Sequence, residues 1–201
     1  QEVKIMILST SVLLDRLQNY ANPFGKIQRL VREEKLIPLA KGLYEDDKNV
    51  SGMYLANAIY GPSYISFNYA LSYYGLIPEA VYEFTSATTE KKKKKSYTNR
   101  FGTFSYRDVP LEAYPYGVAI IEEGDYNYMM ATKEKALCDK LYELPPVKSQ
   151  KELYELLFND MRIDEAEFEK LNRQDIYFIA PKYHANNVKL LANYLRRRNH
   201  E

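Results

Sequence analysis

The stretch Ala21-Asn22-Pro23-Phe24-Gly25-Lys26-Ile27-Gln28-Arg29-Leu30-Val31-Arg32-Glu33-Glu34 decides how this chain is read. Asn22 suits a helix N-cap, because its short side-chain oxygen can accept from the first unpaired helix amides. Pro23 suits the first helical position, where no amide hydrogen is needed and φ is already set. The spacing predicts a helix over 23–34. Phe24, Ile27, Leu30 and Val31 fall on one face, centred on Ile27 and Val31. The opposite face carries Gly25, Gln28, Arg29 and Arg32. Arginine can pair with both major-groove acceptors of guanine and glutamine with adenine, so a base-reading helix would use these side chains. Gly25 would let the backbone approach the groove floor, and Lys26 sits on the flank, placed for a phosphate.

Upstream, Val3–Leu8 predicts a short strand. Ser9 or Thr10 can cap a helix over about 11–20, whose buried stripe is Leu13, Leu17 and Tyr20, with Leu14 beside it. Downstream, Leu36-Ile37-Pro38-Leu39 and Leu43-Tyr44 predict two short strands with Ala40-Lys41-Gly42 turning between them. Lys41, at that tip, is placed for a phosphate or the minor groove. Helix, tight turn, helix and two-stranded wing within 45 residues is the minimal order of a winged helix-turn-helix, with Asn22 through Arg32 and Lys41 meeting DNA. The charge distribution agrees. Residues 1–44 hold seven Lys or Arg against four Asp or Glu, a net +3, and the remainder holds 21 against 23, a net −2. Only the first piece suits a polyanion.

The polar run Glu45-Asp46-Asp47-Lys48-Asn49 predicts a junction, dividing 1–45 from 46–201. Beyond it, helices are expected over about 50–60 and 66–74 and strands over 81–88 and 100–109. A hairpin over 116–130 turns at Glu123-Gly124-Asp125, and a helix over 132–144 is capped by Thr132. Pro145-Pro146 ends that helix, and the tail from about 149 reads as helical. The expected fold class is α+β: an N-terminal winged helix followed by a mixed α/β module with a helical C-terminal tail.

No catalytic set, metal site or cofactor site emerges. Cys138 is the only cysteine, so no intrachain disulfide can form, which fits a reducing cytoplasm. It lies among Ala136, Leu137, Leu141 and Tyr142 and reads as a buried structural thiol. His184 and His200 cannot build a zinc site of ordinary spacing with it. Glu122, Glu123 and Asp125 crowd a turn, and Asp139 lies near Lys135 and Lys140. Neither spacing distinguishes a magnesium site from surface charge. There is no glycine-rich phosphate loop. Lys91–Lys95 reads as a solvated loop kept extended by repulsion, with a second nucleic-acid contact or a site for an acidic partner as the alternatives. Arg196-Arg197-Arg198 complements the dipole of the last helix. The longest apolar run near the start, Ile5–Leu8, is far short of the roughly 20 residues of a membrane span and lacks a signal peptide's apolar region, so a cytoplasmic location is expected. Twenty tyrosines and no tryptophan suit either wet interfaces or core packing.

Several ordered runs carry a resemblance. They are Tyr20-Ala21-Asn22-Pro23, then Ile27-Gln28-Arg29-Leu30-Val31-Arg32-Glu33-Glu34-Lys35-Leu36-Ile37, then Lys41-Gly42-Leu43-Tyr44. Further along come Pro62-Ser63-Tyr64-Ile65-Ser66, Ala70-Leu71-Ser72-Tyr73-Tyr74-Gly75-Leu76 and Ala131-Thr132-Lys133-Glu134-Lys135-Ala136-Leu137-Cys138-Asp139. In order and spacing, across about residues 10–145, the chain resembles the AbiEi family of antitoxins. The resemblance implies a transcriptional autoregulator that binds its own double-stranded operator. It also implies an antitoxin counteracting a nucleotidyltransferase-like toxin, with direct contact between the two left open. Two other classes compete: a nuclease-like enzyme that a winged helix delivers to nucleic acid, and a protein-interaction adaptor.

Overall fold

A computed structural model describes residues 7–198. Val3–Met6 of the expected first strand, and His200, lie outside the described residues.

Strand β1 (Ile7–Ser9) runs into helix α1 (Thr10–Arg16), where the Ser9 hydroxyl accepts the Val12 amide. The helix stops short of its predicted end, so Tyr20 is 48% exposed and does not join the buried stripe. Helix α2 (Pro23–Arg32) follows, and Asn22 Oδ1 accepts the Gly25 amide at 2.9 Å. Strands β2 (Ile37–Ala40) and β3 (Leu43–Glu45) then form an antiparallel hairpin. With β1 on the far side of β3, they make a three-stranded sheet in the order β1-β3-β2. The turn at Lys41-Gly42 is pinned to the start of α1, because Gly42 O accepts from both the amide (2.9 Å) and the hydroxyl (3.2 Å) of Thr10. Leu8, Leu13, Ile27 and Leu36 form a small core of their own, with Leu14, Leu17, Leu30, Val31 and Tyr44 packed on it.

The remaining chain gives α3 (Gly52–Ile59), β4 (Tyr64–Ile65), α4 (Phe67–Tyr73), β5 (Glu83–Thr88), β6 (Lys95–Asn99), β7 (Gly102–Asp108), β8 (Val118–Glu123), β9 (Tyr126–Ala131) and α5 (Lys133–Glu143). The tail holds α6 (Gln150–Tyr154) running into a π-helical turn at Glu155–Asp160, then α7 (Glu165–Glu169), α8 (Arg173–Ile179), a 3-10 turn at Ala180–Tyr183 and α9 (Asn186–Arg197). The strands form one mixed sheet in the order β6-β7-β5-β4-β9-β8, parallel at β7/β5 and β4/β9 and antiparallel elsewhere. The chain is α+β.

Because side chains alternate across a strand, the register assigns the faces. Ser86 pairs with Tyr106 and with Ile65, so these point one way, toward α3, where Tyr106 donates to Ala56 O at 2.7 Å. Tyr54 of α3 packs on Tyr126 and Tyr128, and Tyr60 packs on Tyr97 and Tyr106, so much of the tyrosine excess is core packing on this face. Tyr64 and Ala87 point the other way, toward α5 and the tail. There Leu153, Leu157, Phe168, Ile176, Val188, Leu191 and Leu195 complete the main core.

Further expectations need correction. Phe24 is 59% exposed, so the buried face of α2 is carried by Ile27 with Leu30 and Val31. The expected loop Lys91–Lys95 ends one residue early, because Lys95 opens a strand over Lys95–Asn99 that was not expected. Its free edge and alternating exposure make it a polar edge strand, which gives a weak hydrophobic signal. The junction also differs in character from a solvated linker. Glu45 closes β3 and is fully buried, and Leu39 belongs to the main core. The β6–β7 turn rests on the small sheet, with Asn99 Nδ2 donating to Leu39 O (3.0 Å) and Arg100 paired with Glu34 (3.0 Å).

Candidate nucleic-acid interface

Ile27, 4% exposed, anchors α2 to the small core, and one turn of helix geometry then turns Gln28, Arg29 and Arg32 outward, all exposed. Between α2 and the β2–β3 hairpin lies an open groove of about 770 Å³. It brings Gln28 and Arg32 of the helix together with Lys41 of the hairpin tip, over a floor of Ile27, Val31 and Tyr44. Arg29 stands outside this groove, its Nε 3.5 Å from Glu33. Arg32, Lys26 and Lys41 make no ion pair among the described residues.

The start of α2 is built tightly. A Cβ on Gly25 would stand 2.7 Å from Asn22 Nδ2, so a larger residue there would push the capping side chain aside, whatever approaches from outside. Lys26 holds its ammonium 4.8 Å over the Tyr20 ring, which accounts for a tyrosine left on the surface. At the other end, a hydrogen bond from Lys35 lowers the Glu33 carboxyl, and one from Arg100 lowers that of Glu34. The two acids beside the arginines are thereby already committed to neighbouring cations.

A second polar constellation corrects the reading of Asp139 as surface charge or a magnesium site. Lys135 and Asp139, one turn apart on α5, are both fully buried and 3.1 Å apart. Asp139 accepts from Tyr64 Oη (3.0 Å), Ser66 Oγ (2.6 Å) and Tyr183 Oη, while Lys135 donates to Ala113 O (2.8 Å) and Tyr183 Oη (2.7 Å). Burial first, then the Asp139 charge, holds the Tyr64 and Tyr183 phenols well above their ordinary range, so both remain donors. Every strong partner is satisfied from within, so this network joins the sheet to α5 and the tail and offers no atom to a substrate. Burial likewise pushes the neighbouring Cys138 thiol far up, leaving it without thiolate character.

No family model matches the chain, and no curated protein matches it.

Other clusters weighed in the sequence are spread apart. His184 meets Glu112 at 3.0 Å, with both side chains about 70% exposed. Glu122, Glu123 and Asp125 are exposed on the β8–β9 hairpin. Among the described residues, no group of three or more His, Cys, Asp or Glu side chains is placed to hold a metal ion. Nor is any helix long and apolar enough to cross a membrane.

Proposed function

We propose that the N-terminal unit is a winged helix-turn-helix that binds duplex DNA, and that the chain is an antitoxin-like transcriptional autoregulator of the AbiEi kind. In this reading α1 and α2 are the helix pair, α2 lies in the major groove, β2–β3 is the wing and β1 completes the wing's sheet. The observation that carries it is the groove joining Gln28 and Arg32 to Lys41. A helix of ten residues is about 15 Å long, and the B-DNA major groove, about 12 Å wide, admits such a helix. Asn22, Gly25 and Lys26 then lie at the end of α2 where the backbone of the duplex passes. The larger module serves to counteract a nucleotidyltransferase-like toxin and has no reaction of its own.

Binding to the protein's own promoter tests the reading helix. Arg32→Ala and Arg29→Ala are expected to weaken it by about 1–3 kcal/mol each and to relax the preference at one base pair. Arg32 should lose more, since the Glu33 pair competes for Arg29. Gel-shift titrations in which both variants keep wild-type affinity and specificity would refute the assignment.

Lys41→Ala should behave differently. A phosphate-contacting wing lysine weakens all sequences about equally and reduces the salt slope by roughly one counterion. Loss of operator affinity with intact non-specific binding would instead make Lys41 a base reader. The antitoxin half is separable. Full-length protein carrying both arginine substitutions should still rescue growth when co-expressed with the neighbouring toxin candidate, and failure of rescue would tie neutralisation to DNA binding.

A further inference from the structure

We propose that the cleft between the lysine run and the Arg107–Glu143 pair binds a nucleoside triphosphate. The cleft lies in the larger module, and nothing in this proposal depends on how α2 meets DNA.

The lysine run is held in place. Lys91 Nζ donates to Gly61 O at 3.3 Å and sits 5.4 Å over the Tyr60 ring. The Lys92 amide donates to Asp108 Oδ2 at 2.6 Å, and Asp108 Oδ1 accepts from Thr88 at 2.6 Å. This ordering sets the side chains of Lys92, Lys93 and Lys94 along one wall of a cleft of about 590 Å³. Arg107 and Tyr142 stand among the other lining residues. That volume is too large for a lone phosphate and falls in the range of small-molecule sites, about 300–1,000 Å³.

The charges do not cancel. Glu143 is shared among Arg107, Lys140 (3.3 Å) and Lys94 (3.9 Å). Asp108 spends both oxygens on a backbone amide and a hydroxyl. Four cations, Lys92, Lys93, Lys94 and Arg107, therefore line the cleft against two carboxylates, and Lys92 and Lys93 make no ion pair among the described residues. Such an excess inside a concavity attracts a compact polyanion. The cations converge on one hollow, which suits phosphates strung on a single short chain better than phosphates spaced along a duplex.

The backbone points to the same place. Lys92 (φ 57°) and Phe67 (φ 54°) both line the cleft in the left-handed region, which bulky residues rarely occupy. Phe67 is 1% exposed and carries the Arg107 guanidinium 5.1 Å over its ring. Strain on two sides of one hollow, held there by the surrounding packing, is the mark of a pre-organised site. Tyr142, 38% exposed, offers an aromatic face on which a base can stack, and this selects a nucleoside over bare polyphosphate.

Calorimetric titration of the full chain with ATP, with sodium tripolyphosphate and with operator duplex tests this. Three proteins are compared: wild type, Lys92→Gln/Lys93→Gln and Tyr142→Leu. Both lysines are exposed, so matching thermal melts should show that the double variant is folded. ATP is expected to bind the wild type, and the double variant to bind it about tenfold or more weakly, the effect of losing two charge-assisted phosphate contacts. Tyr142→Leu should weaken ATP and leave tripolyphosphate unchanged. The proposal is overturned if ATP shows no binding at about 1 mM, or if the lysine substitutions leave its affinity intact. It is equally overturned if tripolyphosphate binds as tightly as ATP and Tyr142→Leu affects neither. Loss of duplex affinity in the double variant, with no ATP binding to any protein, would make the run a DNA contact and also overturn it.

Discussion

Asp139→Ala should cost about 3–5 kcal/mol of stability near neutral pH, enough to unfold many domains of this size. The reason is what it leaves behind. Lys135 is 0% exposed, and without Asp139 its ammonium keeps the Ala113 carbonyl, the Tyr183 hydroxyl and the Tyr64 and Tyr183 rings as partners, none of them charged. A buried charge with no counter-charge costs far more than the pair itself is worth. The released hydroxyls of Tyr64 and Ser66 add to the loss, since a buried donor left unpaired costs roughly 1–3 kcal/mol. Lys135→Met should be milder, because Asp139 would still accept from Tyr64, Ser66 and Tyr183. Urea denaturation followed by far-ultraviolet circular dichroism gives both values. A loss under about 1 kcal/mol for Asp139→Ala would show that water reaches Lys135 and that the network is not the clamp described. The same packing fixes Gly117, whose φ of 67° and whose absent Cβ, which would lie 2.9 Å from Lys135 Cβ, leave no room for alanine.

The second large effect is a dependence on pH. Burial pushes the Glu45 carboxyl from its ordinary 4.5 up to about 7, against the lowering pull of the Asp47 and Asp46 amides on Oε1. Among the described residues its Oε2 accepts no close hydrogen bond, and it lies beside the buried hydroxyl of Tyr126, whose pKa is raised first by its own burial and then by the Glu45 charge. Because the folded value lies above the unfolded one, the folded state holds the proton more tightly. Glu45 therefore supports the fold below about pH 4.5, and that support is lost as pH rises through about 7. A shift of this size is worth at most about 3 kcal/mol. Glu45→Gln keeps the shape without the charge, so it should gain stability relative to wild type at pH 8 and little at pH 5. Melting temperatures of the two proteins across that range decide the matter, and parallel curves would place the Glu45 titration near its ordinary value.

The elements that were legible in the sequence share one property: their signals are local. Asn22-Pro23 opens α2 and Thr132 opens α5 through side chains that reach only three residues ahead. The Glu123-Gly124-Asp125 turn similarly announces the β8–β9 hairpin. The elements that were missed depend on distant partners. Tyr64–Ile65 is a two-residue strand, too short for any period, and exists because β5 and β9 flank it. Strand β6 turns Lys95, Tyr97 and Asn99 inward, only one of them apolar, and its order comes from β7. Lys135 and Asp139 have the spacing of an ordinary surface pair, and only the tail folding back with Tyr183 buries them. In the candidate interface, the outward set Gln28, Arg29 and Arg32 followed from helical spacing alone. The exposure of Phe24 and Tyr20 did not, because it depends on where α1 stops and on Lys26 covering the Tyr20 ring.

The seating of the β6–β7 turn on the small sheet bears on how such proteins can be recombined. Residues 7–45 look like a cassette when only the chain order is considered, yet three of their positions are fitted to the larger module. Leu39 meets Asn99 and the main core, Glu34 meets Arg100, and Glu45 lies buried beside Tyr126. A chimera that exchanges only this head would leave Asn99 and Arg100 facing the wrong surface and Tyr126 beside a foreign side chain. The transferable part is the head together with the Asn99–Phe101 tip and Tyr126, pieces separated by more than fifty residues of chain. In the proposed DNA-binding role, a new specificity is therefore reached more readily by substitutions along the outer face of α2 than by exchange of the whole head.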